Sequence, residues 1–376
     1  MSHHAPVIWG RARPRLRGRA ERPRQSSVGR WLDSRLGLDA LSYPVPAHAN
    51  TLLYTLGGIT GFSFVVLVAT GIVLAQYYDP DPATARDSVV YIMQNVTWGW
   101  FIRGLHIWMA NLFVITAGLH MVRVFATGAY KAPREVNWLV GLLLLAASLG
   151  MVFTGTVLKW DQEAYEALGH GQAIGDLLGG FGSLFTAGFT RSVSLLTRVF
   201  VAHVAVLPVV FALLLAVHFA LVKRHGISGL PGRHESDGGR TDTVVAMEDE
   251  GASSFRKHLR HLVGYGLLLL VAGGVLTLLF GSPLGEAATP GPERTQPPWM
   301  FLPFFTLENW WGIRALLWAP IAFFFALAAI PFIDRSPTKA YGHRKAILVF
   351  GALIFATLVA LGIIAAVTPA ATHLEM

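Results

Sequence analysis

The sequence predicts an all-α polytopic membrane protein: seven transmembrane helices, with a four-helix bundle followed by a three-helix C-terminal part. Three observations predict it. The mean hydropathy is +0.50, with 53% hydrophobic and only 14% charged residues among 376. Seven apolar stretches each reach the roughly 20 residues needed to cross the hydrocarbon core: 50–78, 104–122, 136–158, 199–222, 262–285, 315–333 and 346–368. Of the 30 Lys and Arg, 23 fall in segments on the side of the N-terminus and 7 on the other, alternating through all seven stretches. That split places the N-terminus in the cytoplasm.

The first 48 residues form a basic cytoplasmic arm, with eight arginines between 11 and 30 and a short amphipathic helix expected over 30–40. The arm lacks the apolar core of a cleavable signal peptide. Residues 49–225 hold the four-helix bundle, 226–261 a charged, Gly-containing cytoplasmic linker, and 262–376 the three-helix part with an outer loop. Trp98, Trp100, Trp160, Trp299, Trp310 and Trp311 gather at the outer interface as an aromatic belt. The net charge of +8 is distributed by membrane side, so it does not indicate nucleic acid. The absence of cysteine excludes disulfides, Cys-ligated iron–sulfur clusters and thioether-linked haem from this chain.

Ionisable residues inside an apolar span are costly and mark function. The second stretch carries His106 and His120, and the fourth carries His203 and His218, spaced 14 and 15 apart. At 3.6 residues per turn those spacings return to roughly one helix face, about 21 to 22.5 Å further along the axis. Both stretches run outward to inward by the charge split, so His106 faces His203 and His120 faces His218. Buried histidines bonded to backbone carbonyls are the plain alternative. Two matched pairs instead suit two bis-histidine b haems, which leave no open site for oxygen and therefore transfer electrons. Gly57 and Gly71, and Gly141 and Gly155, repeat the spacing of 14; they are read as clearance for a flat macrocycle, with small-residue helix packing as the alternative. Arg103, Arg123 and Arg198 lie within about a turn or two of the histidines and are the expected partners of haem propionates.

GGITGF, ATGIVLAQYY, GWFIRGLH, GLHMVRVFATGAYKAPREVNW, FTGTVLKWDQ, LTRVFVAH, HFALVKRHGISG, PPWMFLPFF and IPFIDRSP bring a family into view. Over about residues 30–345 the chain resembles the cytochrome b subunit of quinol-oxidising cytochrome bc complexes. The 15-residue histidine spacing resembles the plastoquinol-oxidising branch, with its haem subunit and three-helix subunit fused. The resemblance implies quinol oxidation at the outer face, with one electron passing to a Rieske iron–sulfur protein and the other through two non-covalent b haems to a quinone near the cytoplasm. It further implies a c-type cytochrome subunit, surrounding lipid, a homodimer within a larger complex and a bacterial inner membrane.

Two departures bear on chemistry. Thr55 stands where the plastoquinol branch has a haem-bearing Cys. The family's outer motif, Pro-Glu-Trp-Tyr, reads Pro297-Pro298-Trp299-Met300. The outer-face carboxylates left to take a quinol proton are Asp161, Glu163, Glu166, Glu293 and Glu308. Glu163 and then Asp161 are favoured, beside Trp160 in a segment resembling the quinol-pocket wall, with Trp299 in the motif itself. Glu293 is expected to be solvated. On the inner face, FRKHLRH at 255–261 is expected to deliver protons to quinone through His258 and His261, with an interfacial anchor as the alternative. Two other readings stay open: a dihaem, quinone-linked subunit of a Rieske-free complex, and a non-redox transporter or anchor.

Overall fold

A computed structural model describes residues 27–36, 43–237 and 239–369. The arginine-rich run up to Arg24 and the last residues of the chain lie outside the described residues. Two compact units are distinguished, one up to Tyr43 and one from Pro44 onward. The first unit contains the helix Ser27–Leu36, with Val28 and Trp31 exposed; it covers most of the short helix expected at 30–40.

Within the second unit, among the described residues, seven helices are long and apolar enough to cross a membrane: Leu52–Ala75, Gly99–Ala126, Glu135–Val157, Leu195–His225, Phe255–Phe280, Ile313–Ile333 and Lys345–Val367. Helical backbone satisfies its own polar groups, as a lipid environment demands. Two ends depart from the expectation. The fifth span starts at Phe255, not 262, because the Ser254 hydroxyl caps it by accepting from the Lys257 N–H. Hydropathy begins only where the charges of FRKHLRH end. The same span stops at Gly281, whose φ of +61° suits glycine. The second span runs from Gly99 to Ala126, longer than 104–122, since both flanking turns continue the helix beyond the apolar window.

The linker is also folded. Thr241 caps a helix, Asp242–Glu250, and strand Ala252–Ser254 pairs antiparallel with Pro44–Pro46, Val45 opposite Ser253. Arg134 donates to both oxygens of Asp242, and Lys339 pairs with the same carboxylate, so three segments meet at one buried charge cluster.

The fifth span packs along the first and second, and small residues make that approach possible. A Cβ on Gly58 would stand 2.0 Å from Leu262, one on Gly266 2.6 Å from Phe62, and one on Gly104 2.4 Å from Thr277. Phe64, Phe113, Val114, Val140, Leu144 and Phe211 form the apolar centre between the two histidine levels. Met300 packs against that centre, which shows how deeply the Pro-Pro-Trp-Met stretch enters.

Candidate functional site

The second and fourth spans bring the four histidines into two facing pairs. The ring centres of His106 and His203 are 6.4 Å apart at an interplanar angle of 71°, and those of His120 and His218 are 6.4 Å apart at 77°. Two imidazoles bound to one metal through bonds of about 2 Å have ring centres about 6 Å apart. The pairs therefore fit a metal between them rather than a direct hydrogen bond. His203 sits in a π-helical segment, Ala202–Val206, a local widening that recurs at functional positions.

The ring edges are oriented by neighbours. Nδ1 of His106 is 2.8 Å from the Thr70 hydroxyl, and Nδ1 of His203 is 2.9 Å from the Thr154 hydroxyl. Hydrogen bonding at one ring nitrogen fixes the ring and leaves the other for a metal. The two threonines escaped the sequence reading, although each directly precedes, as in Thr70-Gly71, a glycine of the 14-residue pattern or lies beside it, as Thr154 does with Gly155.

Each of the four glycines faces one histidine. A Cβ on Gly71 would lie 3.3 Å from His106, on Gly155 3.0 Å from His203, on Gly57 2.8 Å from His120 and on Gly141 3.7 Å from His218. The spacing match is thus direct: the clearance is for the imidazole ring itself. Nη2 of Arg103 and Nε of Arg123 are buried without a hydrogen-bond partner, which fits a missing anion such as a propionate. Arg123 also lies 3.4 Å from His120 Nδ1 and 4.7 Å from the centre of the Tyr54 ring. Arg198 donates to the carbonyls of Leu184 and Thr186, both at 2.7 Å, while its Nε is likewise buried without a hydrogen-bond partner.

The indole N–H of Trp299 donates to Asn111 Oδ1 at 2.8 Å, five residues past His106. Asp161 caps the helix Gln162–Leu177 through Ala164 N–H, accepts from Gly285 N–H and lies 3.6 Å from Lys159. Glu163 pairs with Lys159. Both carboxylates line a cleft of about 480 Å³ that also includes Arg294. Glu166 is buried and accepts from Gln162 and from the backbone of Arg294 and Thr295. Glu293 is buried at 6% exposure, which corrects the solvated expectation: its loop folds back onto the Gln162–Leu177 helix, and His170 lies 3.6 Å from it. Glu308 is fully buried, 3.1 Å from the same ring. His170 was not foreseen, because nothing in its local sequence marks it.

In the first two turns of the fifth span, His258 is buried against Phe255, while His261 bonds the Lys257 carbonyl. His48 is held by Glu250 and the Ser228 carbonyl, with its ring 4.5 Å from Tyr54.

Comparisons with known proteins agree with this geometry. Residues 40–226 match the family model "Cytochrome b/b6/petB", and residues 287–376 match "Cytochrome b(C-terminal)/b6/petD". The chain is 40% identical over 213 residues to cytochrome b6 of Emiliania huxleyi, an alignment spanning 54% of this chain and 99% of that one. It is 39% identical over 215 residues to the menaquinol:cytochrome c reductase cytochrome b subunit of Bacillus subtilis (strain 168), over 53% of this chain and 96% of the relative. Among solved structures, a chain of a hyperthermophilic respiratory Complex III superposes with a TM-score of 0.75 at 26% identity, covering 90% of this chain and 91% of that one.

Proposed function

We propose that this chain, which belongs to the cytochrome b/b6 family, is the dihaem cytochrome b subunit of a quinol:cytochrome c oxidoreductase. It oxidises quinol at the outer face and passes electrons inward across a bacterial inner membrane, with its N-terminus cytoplasmic. The facing histidine pairs at 6.4 Å carry this reading.

His106 and His203 hold the outer b haem, and His120 and His218 the inner one; when bound, these groups supply one-electron transfer between the two faces. Thr70 and Thr154 keep the outer rings in the ligating orientation. Gly57, Gly71, Gly141 and Gly155 leave room for the four imidazoles. Arg103 and Arg123 would pair with the carboxylates of such groups, and the apolar layer around Phe64, Phe113 and Phe211 keeps water from between the two levels. Moving one charge across the membrane is worth about 2.3 kcal/mol per 100 mV, so the spacing of the pairs is what lets the protein build potential.

Quinol binds beside Trp299. Glu163, with Asp161 holding the loop around it, takes a released proton toward water through the cleft they line with Lys159. His258 and His261 bring protons to quinone at the inner face. Replacing both with Gln should slow re-oxidation of the reduced chain by quinone, and unchanged kinetics would remove that role. A Rieske iron–sulfur protein and a c-type cytochrome subunit complete the electron path, within a lipid-embedded homodimer. Pro298, in place of a carboxylate, favours a second reading: a subunit exchanging electrons between quinone and another oxidoreductase without a Rieske partner.

The deciding experiment is a reduced-minus-oxidised optical spectrum of the purified chain and of His203→Ala. Two low-spin b-type signals are expected, with the outer one lost in the variant. Unchanged haem content in the variant would sink the ligand assignment.

A further inference from the structure

The outer face holds one group of titratable side chains that the electron path does not use. His170 comes from the helix Gln162–Leu177, Glu293 from the loop before Pro297, and Glu308 from the helix Leu302–Trp311. His170 Nε2 is 3.1 Å from Glu308 Oε1 and 3.6 Å from Glu293 Oε1, and the three side chains are 12%, 0% and 1% exposed.

Protonation can be read from the hydrogen bonds. His170 Nδ1 lies 2.7 Å from the Glu166 carbonyl. A carbonyl only accepts, so Nδ1 carries a proton. Nε2 faces the two carboxylates. Burial alone would lower the basicity of this ring, but the close approach of Glu308 and its charge, the Glu166 carbonyl and the charge of Glu293 lift its pKa to about 9. The ring is therefore a cation at neutral pH, set against two carboxylates. Both Glu308 oxygens are buried and have no hydrogen-bond partner.

On the His170 helix lie the buried Glu166 carboxylate, one turn before His170 and bonded by the Arg294 and Thr295 backbone, and further off Glu163 and Asp176. Arg294, next to Glu293, donates to Gln162 and Thr289. The third and sixth spans pack against the His170 helix; they bring only Glu135, at the far end, and Arg314, in the first turn. The turn Gly179–Phe185 brings none. The seventh span, packed against the Glu308 helix, carries only Lys345, at its opposite end. Glu308 is thus a fully buried carboxyl group beside an imidazole ring and a second buried carboxyl group, with neither oxygen in a hydrogen bond, and a buried polar group left so is costly.

The cluster is joined to the quinol face by continuous chain. The Glu308 helix starts three residues after Trp299, whose indole reaches Asn111 on the span of His106. We propose that Glu308, held in place by His170 and sharing charge with Glu293, accepts a proton from quinol at the outer face, an assignment that rests on the quinol-oxidising reading above. A quinol O–H bond breaks and an O–H bond forms on Glu308 Oε2. The two electrons leave to the iron–sulfur partner and the outer bis-histidine site, and the second proton leaves through the Glu163 cleft.

The test is the pH dependence of outer-haem reduction by quinol, measured in the assembled membrane complex with haem content checked optically. Glu308→Gln should slow reduction on the order of a hundredfold at neutral pH and lose the acidic limb, while Glu308→Asp keeps a titrating limb. A Glu308→Gln complex with both haems and the unsubstituted pH profile overturns the proposal. So does equal slowing in Gln and Asp variants with the limb unmoved, which would mark Glu308 as structural. Should Glu308→Gln fail to retain haem, His170→Gln takes the same readout: a shifted limb supports the assignment and an unshifted one overturns it. If quinol never reduces the unsubstituted complex from the outer face, it is the underlying function that fails.

Discussion

A methyl group on Gly57 would stand 2.8 Å from Cε1 of His120. That separation is shorter than any ordinary carbon–carbon contact, so an alanine there must displace the ring. The other three glycines form a graded series, with 3.0 Å at Gly155, 3.3 Å at Gly71 and 3.7 Å at Gly141. Alanine at Gly57 and at Gly155 should each cost one b-haem signal, inner and outer respectively. Alanine at Gly141 should leave the spectrum intact. A Gly141 variant that loses haem while the Gly57 variant keeps it would refute the contact argument.

The buried cluster of Arg134, Asp242 and Lys339 joins the inner end of the third span, the linker and the segment before the seventh span. Burial alone would raise the Asp242 carboxyl, but the Arg134 hydrogen bonds and charge, with the charge of Lys339, hold it well below the usual carboxylate range. Asp242→Ala would strand two buried cations, at a cost of about 3–5 kcal/mol. The sign with pH follows from a depressed pKa. The cluster contributes fully above the unfolded carboxylate value of about 4 and is lost as pH falls below it. Thermal unfolding in detergent at pH 7 and pH 3 should show a wide gap between the two for the native chain and a narrower one for Asp242→Ala. Equal gaps would remove the cluster from the stability of the inner face.

The spans and histidine pairs were legible because lipid imposes length and helical period directly on sequence. The ring-clearing glycines were legible for the same reason, since they share the period of the ligands. What sequence did not disclose depends on contacts between distant segments. His170 meets Glu293 and Glu308 across more than a hundred residues, and no local pattern marks that meeting. The start of the fifth span at Phe255 was hidden because its first two turns are charged and only the Ser254 cap shows them to be helical.

Membrane orientation can be tested on described, exposed positions of this Cys-free chain. Arg233 in the linker has a side chain 61% exposed, and Phe181 in the loop after the Gln162–Leu177 helix is 94% exposed. The uneven Lys and Arg distribution puts them on opposite faces. Arg233→Cys should react with an impermeant maleimide only in inverted vesicles, and Phe181→Cys only in right-side-out ones. Labelling of both in the same vesicles would break the seven-span topology.

His170 also gives the outer loop a pH-dependent hold. Its folded pKa of about 9 lies above the ordinary imidazole value. A raised pKa means that the contact contributes fully below about 6.5 and fades as pH rises through 9. The contact holds Glu293, whose loop is also tied to Glu166 through Arg294 and Thr295, to Gln162 through Thr289 and to Asp161 through Gly285. Limited proteolysis of the outer face should therefore cut the segment 282–296 faster at pH 9.5 than at pH 6.5. His170→Phe fills much of the same space without a charge, so it should cut at one rate at both values. A native chain with no pH difference would show that the remaining contacts secure the loop without His170.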